Sequence, residues 1–351
     1  MSDEIKGLGL GFIGVAIFSM TLPVTRMALS GGLDVVTVGI GRAVVAALVA
    51  AVILRVARQP VPPMRYWKRL IVAGLCLVIG FPLFMSIAML SVPASHGGVV
   101  LGILPFATTL AAAMFCGERP SPGFWLVALV GSGAVVAFAV VEGGGGMQAA
   151  DLWMLAAALS AGTGYALSGE LSRVLGGWQV ICWSLVGCVP FIVPPVVWVW
   201  PDIHWQAPWQ TWTAFGYVAL FSQLIGFFAW NRGMALGGVS RVAQVQLLQL
   251  FMTLAGSAVL LGEEIGAVTL IFAVCVVAAV ALSRQMSVSR RDLQSPRFRG
   301  GSRKKKEPPK RFLPQELPGK QRSSRAFSTP FSFLLTVNSS SQMSPFARDL
   351  L

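Results

Sequence analysis

Apolar residues in this chain come in runs of about twenty, and the polar residues gather in the short gaps between them. Ten such runs can be drawn, at 8–29, 35–55, 70–90, 97–116, 124–141, 152–171, 180–200, 213–234, 242–261 and 267–284. Each is about as long as a helix needs to be to cross a bilayer. Lipid offers no hydrogen-bond partner to the backbone, so runs of this kind must close their bonds internally, as helices. Segments alternating with period two, which a barrel would require, are absent from the sequence. Turn chemistry separates the runs: Gly31-Gly32 ends the first, Pro60 to Pro63 break the gap before the third, and Gly143 to Gly146 part the two halves. Before the fifth run, Ser121 stands as an N-cap with Pro122 at the first helical position.

Composition agrees with this pattern. Of 351 residues 55% are apolar and 12% charged, and the mean hydropathy is +0.72. A soluble chain carries roughly a quarter of its residues as charges, so this one is read as an all-α integral membrane protein. The net charge of +13 belongs mainly to the tail. Residues 1–284 hold 13 Lys and Arg against 10 Asp and Glu, whereas residues 285–351 hold 14 against 4. The segment 286–351, rich in Ser, Pro, Arg and Lys, is expected to be a disordered cytoplasmic arm. Its run Arg303 to Lys306 could attract anionic lipid, and an unselected extension is an equal reading. The five cysteines all fall in apolar runs without metal-like spacing and are expected to be buried small hydrophobes. The first run lacks a basic leader and a small-residue cleavage site, and is expected to be a retained helix.

Lys and Arg are distributed asymmetrically. The gap between the second and third runs holds Arg55, Arg58, Arg65, Lys68 and Arg69, while Pro201 to Gln210 holds none and is rich in tryptophan. Cytoplasmic loops collect Lys and Arg, and tryptophan anchors at the interface. Arg119, Arg173, Arg232, Arg241 and the start of the tail fall on the side of the first cluster, so both termini are expected in the cytoplasm.

The sequence also repeats itself. Gly117-Glu118 recurs as Gly262-Glu263, an offset of 145 residues. The same offset pairs Gly31-Gly32 with Gly176-Gly177, Met89 with Met234, Ser95 with Ser240, Phe106 with Phe251 and Thr108 with Thr253. Five helices is an odd number, so a second copy must enter from the opposite face. The expected architecture is ten transmembrane helices in two inverted-topology repeats, 8–143 and 151–285, with a site near the midplane between them.

In these residues the chain resembles the drug/metabolite transporter superfamily, in its ten-helix EamA-type branch. The resemblance rests on Ser95 through Pro105 to Gly117-Glu118, on Gly41-Arg42, and on Trp230 through Ser240 leading to Gly262-Glu263. It implies a permease or exporter of amino acids or other small metabolites in a bacterial-type inner membrane, without ATP hydrolysis. The family often has proline where Leu250 stands here, so the ninth helix is expected to run straighter. An aromatic frequent early in the family's first helix is replaced near Ser19.

Polar residues inside apolar runs are the candidates for solute contact. Arg42 lies about 12 Å into the second helix, a depth at which a charge faces a cavity or a partner unless it snorkels. Gln246 and Gln249 share a face of the ninth helix, with Gln244 nearby and Trp230 and Asn231 in the eighth; their alternative role is interhelical bonding. Pro105 frees a carbonyl within the fourth helix, and Tyr165 lies mid-span between Gly164 and Ser168. Arg26 is expected to snorkel, Glu118 and Glu263 to cap helices rather than carry protons, and Glu170 to pair with Arg173. Two histidines cannot make a histidine-rich metal site, and no zinc-protease helix, Walker loop or nucleophile elbow is present. No enzyme, cofactor or nucleic-acid partner is therefore expected. The remaining alternatives are a multidrug or other cation exporter of the same superfamily, and a membrane channel or structural protein. The first is weakened because helix 1 offers a cation no mid-span carboxylate. Proton coupling stands as a candidate, and substrate and oligomeric state stay open.

Overall fold

The computed structural model describes residues 3–143 and 149–261 continuously, with isolated positions and the strand Val288–Arg290 beyond them. Helix dominates. In chain order the segments are α1 (Asp3–Ser30), α2 (Thr37–Val56), α3 (Met64–Ala88), and α4, which runs from Ala94–Val100 through a 3-10 turn into Leu104–Phe115. They continue as α5 (Pro122–Gly143), α6 (Ala149–Leu175), α7 (Gly177–Gly187 and Val189–Val199), α8 (Trp209–Gly237) and α9 (Val239–Leu260). The first nine apolar runs coincide with these segments. Of the tenth only isolated positions are described, and Glu263 and the tail beyond Arg290 lie outside the described residues. Five of the helices are each long and apolar enough to span a membrane, six when α7 is taken as one bent span.

The helix boundaries have identifiable chemistry. Asp34 opens α2: its carboxylate accepts the Val36 and Thr37 N–H groups at 2.8 and 2.9 Å, and the Thr37 hydroxyl as well. Ser121 caps α5 by accepting the Phe124 N–H at 3.2 Å. The 53° bend in α7 falls at Cys188, just before Pro190, whose ring nitrogen cannot complete the bond one turn back. Three helices contain π-helical stretches, at Thr37–Gly41, Leu75–Gly80 and Val218–Ile225. Shifting Leu75–Gly80 by 145 residues gives 220–225, inside the stretch of α8.

Close crossing of α1 and α8 sets the centre of the bundle. Gly7 and Gly11 on one helix face Gly233 and Gly237 on the other. A β-carbon on Gly7 would lie 2.5 Å from the Gly237 nitrogen, and one on Gly233 would lie 2.8 Å from that of Gly11. Small residues spaced by four let two backbones touch in lipid, where association relies on packing rather than on exclusion of water.

Ion pairs gather at one end. Arg241 pairs with Glu4 at 2.8 Å, Arg69 with Glu170 at 3.1 Å and Arg173 with Glu118 at 3.7 Å. There too Glu118–Pro120 pairs antiparallel with Val288–Arg290. The other end carries a tryptophan cluster, with Trp205 flanked by Trp200 and Trp212 at 4.8 and 5.5 Å.

Several expectations change. Arg26 does more than snorkel: its guanidinium donates to the Met89 and Val92 carbonyls, which the end of α3 leaves open. Although Leu250 replaces a proline, α9 is still interrupted, by a 3-10 turn at Gln244–Gln246 one turn earlier. Cys116, Cys182 and Cys188 are buried, but Cys76 is only half-buried and Cys275 is exposed.

Candidate functional site

Two narrow cavities lie inside the bundle and share one residue, Gln249. The first, a narrow cleft of about 10 Å³, is bounded by Phe18 and Thr21 of α1, Arg42 of α2 and Leu77 and Phe81 of α3. Tyr165 of α6, Ser222, Gln223 and Phe227 of α8 and Gln249 of α9 complete it. The second, of about the same 10 Å³, lies between Leu22 of α1, the stretch Gly98 to Leu104 of α4, and Gln246, Gln249, Leu250 and Thr253 of α9.

Irregular backbone brings the polar groups here. The π-helical stretch of α2 ends at Gly41, immediately before Arg42, and that of α8 contains Ser222 and Gln223. Extra residues in a helical turn re-aim side chains, and such turns often mark functional positions. The 3-10 turn Leu101–Ile103 borders the second cavity, and Pro105 follows it without an N–H to satisfy the Leu101 carbonyl. Thr253 donates to the Ser19 carbonyl at 2.7 Å and holds α9 against α1.

Arg42 is the decisive side chain. It is 1% exposed, yet its Nε and Nη1 donors have no partner among the described residues. A buried guanidinium is costly unless something pairs with it. Gln246 and Gln244 likewise leave both amide atoms unpartnered, Gln249 its Oε1, and Trp230 its indole Nε1. Buried polar groups are ordinarily satisfied, so this concentration of open donors and acceptors is unusual. An aromatic cluster backs the first cavity: Tyr165 lies 5.3 Å from Trp230 and 5.9 Å from Phe227, and Phe18 lies 5.0 Å from Phe227.

Among the residues singled out from sequence, Arg42, Tyr165, Gln246 and Gln249 line the cavities, and Trp230 packs behind Tyr165. Pro105 stands beside the lining and shapes the turn. Asn231 is placed differently. Its Oδ1 accepts from Ser168 at 3.0 Å and its Nδ2 donates to the Gly177 carbonyl at 3.1 Å, so it ties α6, α7 and α8 together outside the lining. Sequence reasoning missed Phe18, Thr21, Ser222, Gln223 and Phe227. Gln223 carried the same signal as Gln246, an amide inside an apolar run; its Nε2 donates to the Leu77 carbonyl at 3.2 Å. Thr21 and Ser222 bond to each other at 2.8 Å. Phe18 and Phe227 are two of 21 phenylalanines and carried no signal.

The sequence model of the EamA-like transporter family matches residues 5–140 and, a second time, 148–285. The chain belongs to this family. Among EamA-like relatives it is 40% identical over 295 residues to the uncharacterised transporter YdeK of Bacillus subtilis (strain 168), covering 82% of this chain and all of that one. It is 26% identical over 256 residues to a probable terminal-alkyne amino-acid exporter of Streptantibioticus cattleyicolor, covering 69% of this chain and 83% of that one. A solved crystal structure shares the fold at a TM-score of 0.58 and 20% identity, over 79% of this chain and 98% of the other. This EamA-like protein is thus a multi-pass membrane transporter, and its two cavities lie where helices from both family matches meet.

Proposed function

We propose that this EamA-like protein is a secondary transporter that exports or admits small metabolites such as amino acids, by alternating access between two inverted repeats. The repeats are 8–143 and 151–285, which carry ten spans and leave both termini in the cytoplasm of a cell with this protein in its plasma membrane. Supporting this reading are the double family match, the 145-residue offset, and π-helical stretches at repeat-equivalent positions of α3 and α8. The arginine-bearing end and the tryptophan-bearing end support this orientation. One relative is itself named an amino-acid exporter.

The observation that carries the proposal is Arg42, buried and with two open donors in a cavity walled by rings and amides. Guanidinium donors suit a carboxylate. The unpartnered Gln249 and Gln246 oxygens can accept from an ammonium, and the rings of Phe18, Tyr165 and Phe227 suit an apolar body. A zwitterionic solute uses all three. No described Asp or Glu lines either cavity, which disfavours a cation exporter. Flux into proteoliposomes, measured for amino acids, sugars and cationic dyes with and without a pH gradient, tests the reading. Saturable flux of an amino acid is expected; flux restricted to cationic dyes, or none in any arm, would refute it.

A further inference from the structure

Glu118 lines neither cavity and makes a paired polar contact between the two family-matched halves. The chain leaves α4 at Gly117 in a left-handed conformation (φ +66°), which turns the next side chain out of the helix direction. That carboxylate, 5% exposed, accepts the Val239 N–H at 3.0 Å with Oε1 and the Ser240 N–H at 2.9 Å with Oε2. These two amides open α9, just after Gly238 at φ +87°, and belong to the groups a helix N-terminus leaves without an internal partner. A carboxylate there is also favoured by the helix dipole. Arg173 of α6 stands 3.7 Å from the same carboxylate. One side chain from the first half therefore clasps the start of a helix in the second.

The two elements it joins are the walls of the second cavity. Gln246 lies seven residues after Val239, about 10 Å along the axis, and Gly98 to Leu104 face it from α4. A route from the Glu118 end to Gln246 that runs between these two walls would part the end of α4 from the beginning of α9. We propose that Glu118 is a gate latch: its paired bonds to Val239 and Ser240 hold this end of the transporter closed, and they break when that end opens. This positioning role rests on the alternating-access reading, and it assigns Glu118 no contact with the solute.

Cys116 supplies a native reporter. It is 2% exposed, two residues before Glu118, with its thiol directed at the Ala166 carbonyl. In full-length protein with Cys76, Cys182, Cys188 and Cys275 replaced by alanine, reaction of Cys116 with a small membrane-impermeant methanethiosulfonate in vesicles reads opening of this end. Glu118→Gln keeps the size but removes the charge and turns an N–H₂ toward one of the two amides. It should raise the labelling rate about tenfold, the scale of one charge-assisted bond. Val239→Pro removes one donor at a first-turn position that tolerates proline, and should raise it similarly. The double variant should label no faster than the faster single variant, because both substitutions break one contact. Flux in the same vesicles should change in maximal rate while the order of preference among solutes stays the same. Unchanged labelling in both single variants, additive effects in the double, or an altered order of preference would each overturn the latch. Absence of flux in the unsubstituted protein would instead count against the transporter reading, and the labelling arms would still decide the latch.

Discussion

Arg42 poses a question of sign, because a binding residue and a structural residue should respond oppositely to neutralisation. Its guanidinium is 1% exposed with Nε and Nη1 unpartnered. Withdrawing such a charge from water without compensation costs several kcal/mol in a folded protein. If solute supplies the missing partner, the solute-free protein bears that cost as stored instability. Arg42→Gln, which keeps a polar group of lower desolvation cost, should then leave the unfolding midpoint in detergent unchanged or raised. The same substitution removes a charge-assisted contact of roughly 1.5–3 kcal/mol, which raises the half-saturation concentration about tenfold to a hundredfold. Arg42→Lys keeps the charge but loses the planar fork, and should fall between. Thermal unfolding of purified protein, paired with initial-rate uptake into proteoliposomes, separates the cases. A variant that transports normally, or one that loses stability and flux together, would refute the reasoning. The second result would mean that Arg42 holds the helices together.

Other substitutions test the frame around the site. Gly233→Leu should separate α1 from α8 and lower the unfolding midpoint by an overpacking cost of about 1–3 kcal/mol or more, whereas Gly216→Ala, which meets nothing within 4 Å, should not. Equal midpoints for the two would show that the glycine crossing is not a tight contact. Asn231→Leu leaves the Ser168 hydroxyl and the Gly177 carbonyl without their amide partner and should cost about 1–3 kcal/mol of stability, with little change in half-saturation among molecules that fold; a selective loss of solute affinity would return Asn231 to the binding site. Single cysteines at Pro62 and Gln206 should react with impermeant reagents from opposite sides of the membrane, and labelling from one side would overturn the inverted repeat.

Much of the helix layout was legible because hydropathy and turn residues act locally. Gly31-Gly32, Pro63 and Ser121 stop and start helices through their own backbone preferences, so the runs predict α1 to α9 within a few residues. Polar residues in apolar runs were visible for the same reason, and four of them line the cavities. What escaped was whatever depends on a distant neighbour. Glu118 was expected to cap the helix that follows it, which is the local solution; the amides it accepts are 121 and 122 residues away. Glu170 was expected to pair one turn along with Arg173, and it accepts from Arg69, 101 residues earlier. Arg26 was expected to seek the membrane surface, and it meets the open carbonyls at the end of α3 instead. Glu118 and Arg26 each solve a problem that a helix end creates elsewhere in the fold, and Glu170 meets a distant opposite charge. In lipid that problem is acute, because no solvent stands ready to satisfy an open N–H or C=O. The same pressure makes unpartnered groups meaningful: where Glu118 and Arg26 found helix ends and Glu4 and Glu170 found opposite charges, Arg42 retained two open donors beside a cavity.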